Sequence, residues 1–234
     1  MKKSYQVVQY IFLSIIAAII LLLLVFLSMS NLNTIKINDR LFVSGFFIIS
    51  CLIGISLTIY PGWIRRKLKH KIFNKSNKYI QKTERRRYGH HPDCNQFKNH
   101  TIRIKNKIYC AGCLGLAIGC LISIFFIIIY MINHIKLPSD IFVYLVIFGF
   151  IIIGLVLIEI VLNIRNTFIH IISNILLVIS FLIIFIGVTE ITSNKIYGMM
   201  SIILSYLWLD TRIQLSNWNH SKICENCNKS CKMY

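Results

Sequence analysis

This sequence predicts an all-α polytopic membrane protein of about six transmembrane helices, with a small zinc-ribbon-like insertion on the cytoplasmic side between the second and third. Three observations carry that expectation. The 234 residues are 56% hydrophobic with a mean hydropathy of +0.67, yet the formal net charge is +18. A soluble domain seldom combines the two, whereas a membrane chain segregates them along its length. Here they are segregated: runs rich in Ile, Leu, Phe and Val alternate with short polar pieces and one long basic loop. Of eight cysteines, Cys51 and Cys120 lie inside apolar runs and the other six sit at metal-type spacings, the usage expected on the reducing side of a membrane.

Met1-Lys2-Lys3 precedes an apolar run over 7–27 that is long enough to cross a bilayer. The basic start also suits a secretory signal. The run, however, exceeds a normal signal core and lacks an Ala-x-Ala exit, which favours a retained helix. NLNTIKINDR leads to a second span over 41–60, stopped by Pro61-Gly62. Residues 63–109 form the basic segment, with fifteen Lys or Arg against two acidic residues. Within it Ile64, Leu68 and Ile72 recur every four residues among cationic side chains, as in a helix lying on anionic lipid headgroups. A plain positive-inside loop explains the charge equally well, and that topological explanation weighs against nucleic acid as the partner.

The third span covers 111–131, and Gly112, Gly115 and Gly119 give its first turns a small-residue face. Gly115-x3-Gly119 invites close approach by another helix. After NHIKLPSD a fourth span covers 141–162; NIRNT leads to a fifth over 168–188; and EITSNK precedes a weaker sixth over 196–209, with room to extend at either end. The organisation expected is therefore helices one and two in 1–62, the basic loop in 63–110, helices three to six in 111–211 and a Cys-rich tail in 212–234. With six spans, 22 Lys or Arg fall on the face shared by both termini and four on the other. The basic face is cytoplasmic by the positive-inside rule, which places both termini there and the chain in the cytoplasmic (inner) membrane.

His91-x2-Cys94, fifteen residues, then Cys110-x2-Cys113 has the ligand spacing of a zinc ribbon with one histidine. Between the hooks, Ile102 and Ile104 alternate with polar residues before a Lys105-Asn106 turn and the Ile108-Tyr109 return, which predicts a β-hairpin. So small a knot has almost no core, so metal would hold it together. His90 and His100 are alternative nitrogen ligands, although only His91 completes a His-x2-Cys hook. The Cys110-Ala-Gly-Cys113 pair at a helix start is also the placement of a dithiol–disulfide catalyst.

The tail offers His220, Cys224, Cys227 and Cys231 within twelve residues, a candidate second zinc site, a site shared with the first knot or an iron–sulfur cluster. Glu159 is the carboxylate inside the otherwise apolar fourth span; Arg165, His170 and Asn174 follow at similar depth, and Asp210 and Arg212 end the sixth. Ionisable groups at membrane depth suggest function, although an Arg165–Glu159 pair would be structural. No phosphate loop, dinucleotide fingerprint, Gly-x-Ser-x-Gly or His-Glu-x2-His occurs, and four protein ligands close a zinc shell, so an enzyme is not the expected class.

Cys94, Cys110, Ala111, Cys113, Gly115 and Gly119 resemble the motif of a prokaryotic integral-membrane family of unknown function, in which a Cys/His segment is followed by C-A-x-C-x-G opening a transmembrane helix. The resemblance covers about thirty residues. It implies that the motif is a unit, and no activity. The functional expectation is a non-enzymatic scaffold that contacts a protein partner or a second copy through a zinc-fixed surface. The alternatives are a thiol–disulfide oxidoreductase using Cys110 and Cys113, and a transporter or metal handler using Glu159 and His170.

Overall fold

The computed structural model describes residues 2–28, 35–59, 100–104, 107–132, 138–162 and 166–225. Within them each apolar run forms a helix, because a helix satisfies every backbone polar group internally. In chain order the elements are α1 (Lys2–Ser28), α2 (Ile37–Ile59), the strands β1 (Thr101–Ile104) and β2 (Lys107–Cys110), α3 (Ala111–Ile132), α4 (Ser139–Val161), α5 (Thr167–Thr192) and α6 (Lys195–Glu225). Helices α1 to α5 are each long and apolar enough to cross a membrane. Their outward faces carry Phe12, Leu23, Phe46, Ile53, Leu155 and Ile158, all exposed, as apolar solvent requires.

Helix α5 is the axis of the bundle. Its apolar window is 61% buried, against 22% for α1 and α2. It packs on α3, α4 and α6, while α2 lies on α3 and α1 lies on α6. Glycine sets the closest approaches. A Cβ at Gly115 would stand 2.5 Å from the Ile171 carbonyl oxygen, and one at Gly119 would stand 3.0 Å from Val178 Cβ. The small-residue face expected at the start of α3 is therefore the surface against which α5 lies. Gly149 on α4 and Gly187 on α5 serve the α4–α5 contact, where a Cβ would meet Ile184 and Val146 at 2.5 Å.

Asn166 caps the start of α5, its side chain accepting from the Phe168 N–H at 2.9 Å. At the other end Ser193 takes a left-handed conformation (φ 49°), and Asn194 accepts from the Ile196 N–H, so α6 turns back after two residues. Helix α6 differs most from expectation. The sequence places its end near residue 209, yet the helix runs to Glu225, so the boundary drawn at 211/212 falls inside a continuous element. Beyond Leu209 its polar residues keep one inward face. Thr211, Arg212, Leu215 and Ser221 are buried, and Leu215 packs with Val7 of α1 and Ile160 of α4. Trp208 anchors the helix: its ring contacts Phe150 and Phe181, and its indole N–H donates to the Ser14 carbonyl at 3.2 Å.

Candidate functional site

The alternating segment before α3 forms the expected antiparallel hairpin, with Thr101 opposite Cys110 and Ile104 opposite Lys107. That register returns the chain beside its own start, so His100 and the Cys110 turn lie at one end of the bundle. Helix α3 follows β2 with no intervening residue. The Cys113 and Cys110 thiols are hydrogen-bonded to each other, which brings the second predicted hook together.

Around this hook the bundle supplies a buried polar cluster. His170 Nδ1 of α5 stands 2.8 Å from Glu159 Oε1 of α4, with both side chains almost fully enclosed. Ser173 Oγ donates to Glu159 Oε2 at 3.1 Å, and the Asn174 side-chain amide donates to the His170 carbonyl. His170, Ser173 and Asn174 share one face of α5 because residues three and four apart are neighbours on a helix. Arg212 of α6 is buried within electrostatic range of Glu159, Cys110 and Cys113. A Cβ built on Gly112 would lie 3.5 Å from Asn174 Nδ2, 3.6 Å from Arg212 Nη2 and 3.9 Å from Cys110 Sγ. Those three atoms therefore surround one side of the first turn of α3.

Two further imidazoles join the cluster. His100 stacks on His170 with centroids 4.5 Å apart, and His220 meets His100 edge-on at 5.3 Å. Three regions that the sequence presents separately (the Cys/His hairpin, the Glu159–His170 pair and the tail histidine) thus meet at one place. Asp210 does not join them. Its carboxylate accepts from the Tyr10 hydroxyl and lies 3.4 Å from the Gln214 amide. Arg165, His90, His91, Cys94, Cys227 and Cys231 lie outside the described residues, as does the side chain of Cys224. Among the described residues, no three His, Cys, Asp or Glu side chains are placed to share a metal ion. Arg212 Nε, His170 Nε2 and Asn174 Oδ1 are buried without a hydrogen-bond partner among the described residues.

A second ionic cluster, at the opposite end of the bundle, escaped sequence reasoning. Arg40 of α2 lies 3.9 Å over the Tyr130 ring of α3, donates to the Tyr130 carbonyl and stands 3.7 Å from Glu190 of α5. Tyr130 also donates its hydroxyl to Glu190. The signal for it is one charge near the end of each of two apolar helices, but only their pairing across 150 residues distinguishes it from ordinary snorkelling. The neighbouring Lys195–Asp39 pair, 3.1 Å apart and largely exposed, contributes little.

Comparison of the chain with protein-family models, with curated proteins and with solved structures finds no match.

Proposed function

We propose that this is a six-span protein of the cytoplasmic membrane, both termini cytoplasmic, in which a structural zinc ion fastens the hairpin onto the end of the helix bundle. Its role is non-enzymatic: the metal fixes a cytoplasmic surface for a protein partner, and the basic segment lies on anionic lipid. The ligands assigned are His91, Cys94, Cys110 and Cys113, with His90 and His100 as alternative nitrogen donors. The observation that carries this reading is the convergence of the Cys110–Cys113 hook with Arg212, Glu159 and His170. Three thiolates and a neutral imidazole around Zn²⁺ leave one negative charge. The buried Arg212 cation beside both sulfurs offsets it, and Glu159 is held by His170 Nδ1 at 2.8 Å. The unpartnered atoms of Arg212, His170 and Asn174 are the groups a metal's ligands use for their supporting hydrogen bonds. The resemblance over 94–119 supports treating hook and helix as one unit.

The packing of His220 against His100 supports a second zinc, or an iron–sulfur cluster, held by His220, Cys224, Cys227 and Cys231 near the first site. Elemental analysis of purified protein beside a Cys110→Ser/Cys113→Ser variant tests the reading. At least one tightly held zinc per chain, lost in the variant, is expected; metal-free wild type overturns it.

A metal-handling or transport reading draws on a different observation. With His91 as its nitrogen ligand a closed structural site uses neither His100 nor His220, yet these rings pack in series onto His170 and so lead inward to Glu159. In proteoliposomes, Glu159→Gln that abolishes zinc flux while leaving bound zinc unchanged would establish this second role, and the absence of wild-type flux would remove it. The thiol oxidoreductase reading rests on the Cys113–Cys110 contact and requires a reversible disulfide there. Sulfurs that stay metal-bound under mild oxidation exclude it.

A further inference from the structure

A second pair of thiols lies away from this site, inside the apolar part of the bundle. Cys51 of α2 and Cys120 of α3 are both buried, and their thiols are hydrogen-bonded to each other. An independent feature gives the same direction for Cys120. A Cβ on Gly54, one turn along α2 from Cys51, would stand 3.4 Å from Cys120 Sγ. The glycine leaves room for that sulfur to reach toward α2. The pair belongs to a buried apolar cluster that includes Phe47, Val178 and Phe185. Along the helix axes both thiols lie roughly 12–14 Å from the nearer helix end, which is mid-depth in a hydrocarbon layer of about 30 Å.

We propose that Cys51 and Cys120 are a modification site: a dithiol that an uncharged, lipid-soluble quinone oxidises to a disulfide joining α2 to α3. Surroundings decide the chemistry. Two thiolates on a monovalent soft ion would leave a negative charge in an apolar region, and two sulfurs alone leave the tetrahedral shell of a divalent ion such as Zn²⁺ half filled, whereas a disulfide is neutral and complete. Polar oxidants are excluded from the same region, and a quinone dissolves in it. The step balances: two S–H bonds break, one S–S bond forms, and two electrons and two protons reduce the quinone to the quinol. The link ties α2, which leads into the basic segment, to the helix whose first turn carries Cys113. Neither thiol belongs to the proposed zinc site, so the inference stands or falls separately from it.

The test uses the full chain in proteoliposomes containing a ring-substituted quinone, which cannot add thiols to its ring. Free thiols are then alkylated and the protein is digested with trypsin without reduction. The expected product joins the 41–65 and 108–136 peptides, with fragmentation placing the bond at Cys120 rather than Cys110 or Cys113. One quinol should form per link, and dithiothreitol should return both thiols. Membrane-impermeant tetrathionate should produce the link at least tenfold more slowly. Cys51→Ala and Cys120→Ala should each abolish it, and the wild-type mapping decides the matter if either variant fails to fold. Alkylated Cys51 and Cys120 after quinone treatment would overturn the proposal, as would equal rates with the two oxidants.

Discussion

Glu159 is the side chain with the most to lose at its position. Its two oxygens face His170 Nδ1 and the Ser173 hydroxyl, in a setting almost closed to solvent. Removing the carboxylate leaves His170 Nδ1 and the Ser173 hydroxyl buried without a partner, at about 2–6 kcal/mol for the two. Glu159→Leu is therefore expected to lower stability by that order, whereas Glu159→Gln, which keeps an acceptor for His170, should cost about 1–3 kcal/mol. Reversible unfolding in bicelles reads both. A double-mutant cycle with His170→Gln should return a coupling of about 1 kcal/mol or more, and strict additivity would show that the pair does not interact. Glu159 and His170 are legible in the sequence as ionisable groups in apolar runs, and Cys110 with Cys113 as a metal-type hook. Arg212 reads there only as a polar residue ending a helix. Its burial beside the thiols depends on α6 continuing past Leu209, which hydropathy does not report.

Among the elements, α3 and α6 are fixed by opposite means, one by missing atoms and one by a large side chain. At Gly115 a Cβ meets backbone, which cannot swing aside, so Gly115→Ala must separate α3 from α5. A loss of about 1–3 kcal/mol is expected. Gly154 has nothing within 4 Å, so Gly154→Ala should be neutral or gain up to about 1 kcal/mol from helix propensity. Comparing the two melting temperatures checks both at once. Helix α6 depends on Trp208, which is 1% exposed. Trp208→Ala should cost about 3–5 kcal/mol, while the half-exposed Tyr206 changed to Ala should cost far less. The hairpin and the five apolar helices follow from periodicity and run length, both local properties. The full length of α6 does not, because its last turns are held by Val7 and Ile160, contacts far away in the chain.

For the molecule as a whole, the proposed zinc makes one end of the bundle conditional. Removing metal with a strong chelator should raise amide exchange in the hairpin and the first turns of α3, while the Arg40–Tyr130–Glu190 end stays protected. Equal exchange at both ends would separate metal from fold. That His100, His170 and His220 meet could not be read from the sequence: 70 residues separate the first two and 50 the last two, and only the return of α4 and α6 to the same end brings them together.

Helix α5 holds His170 near one tip and Glu190 near the other, each engaged with a different neighbour. A rod fastened at both tips resists sliding lengthwise, because a shift of one turn would pull both contacts apart. Whatever rearrangement this protein undergoes in the bilayer therefore pivots its outer helices about a stationary spindle.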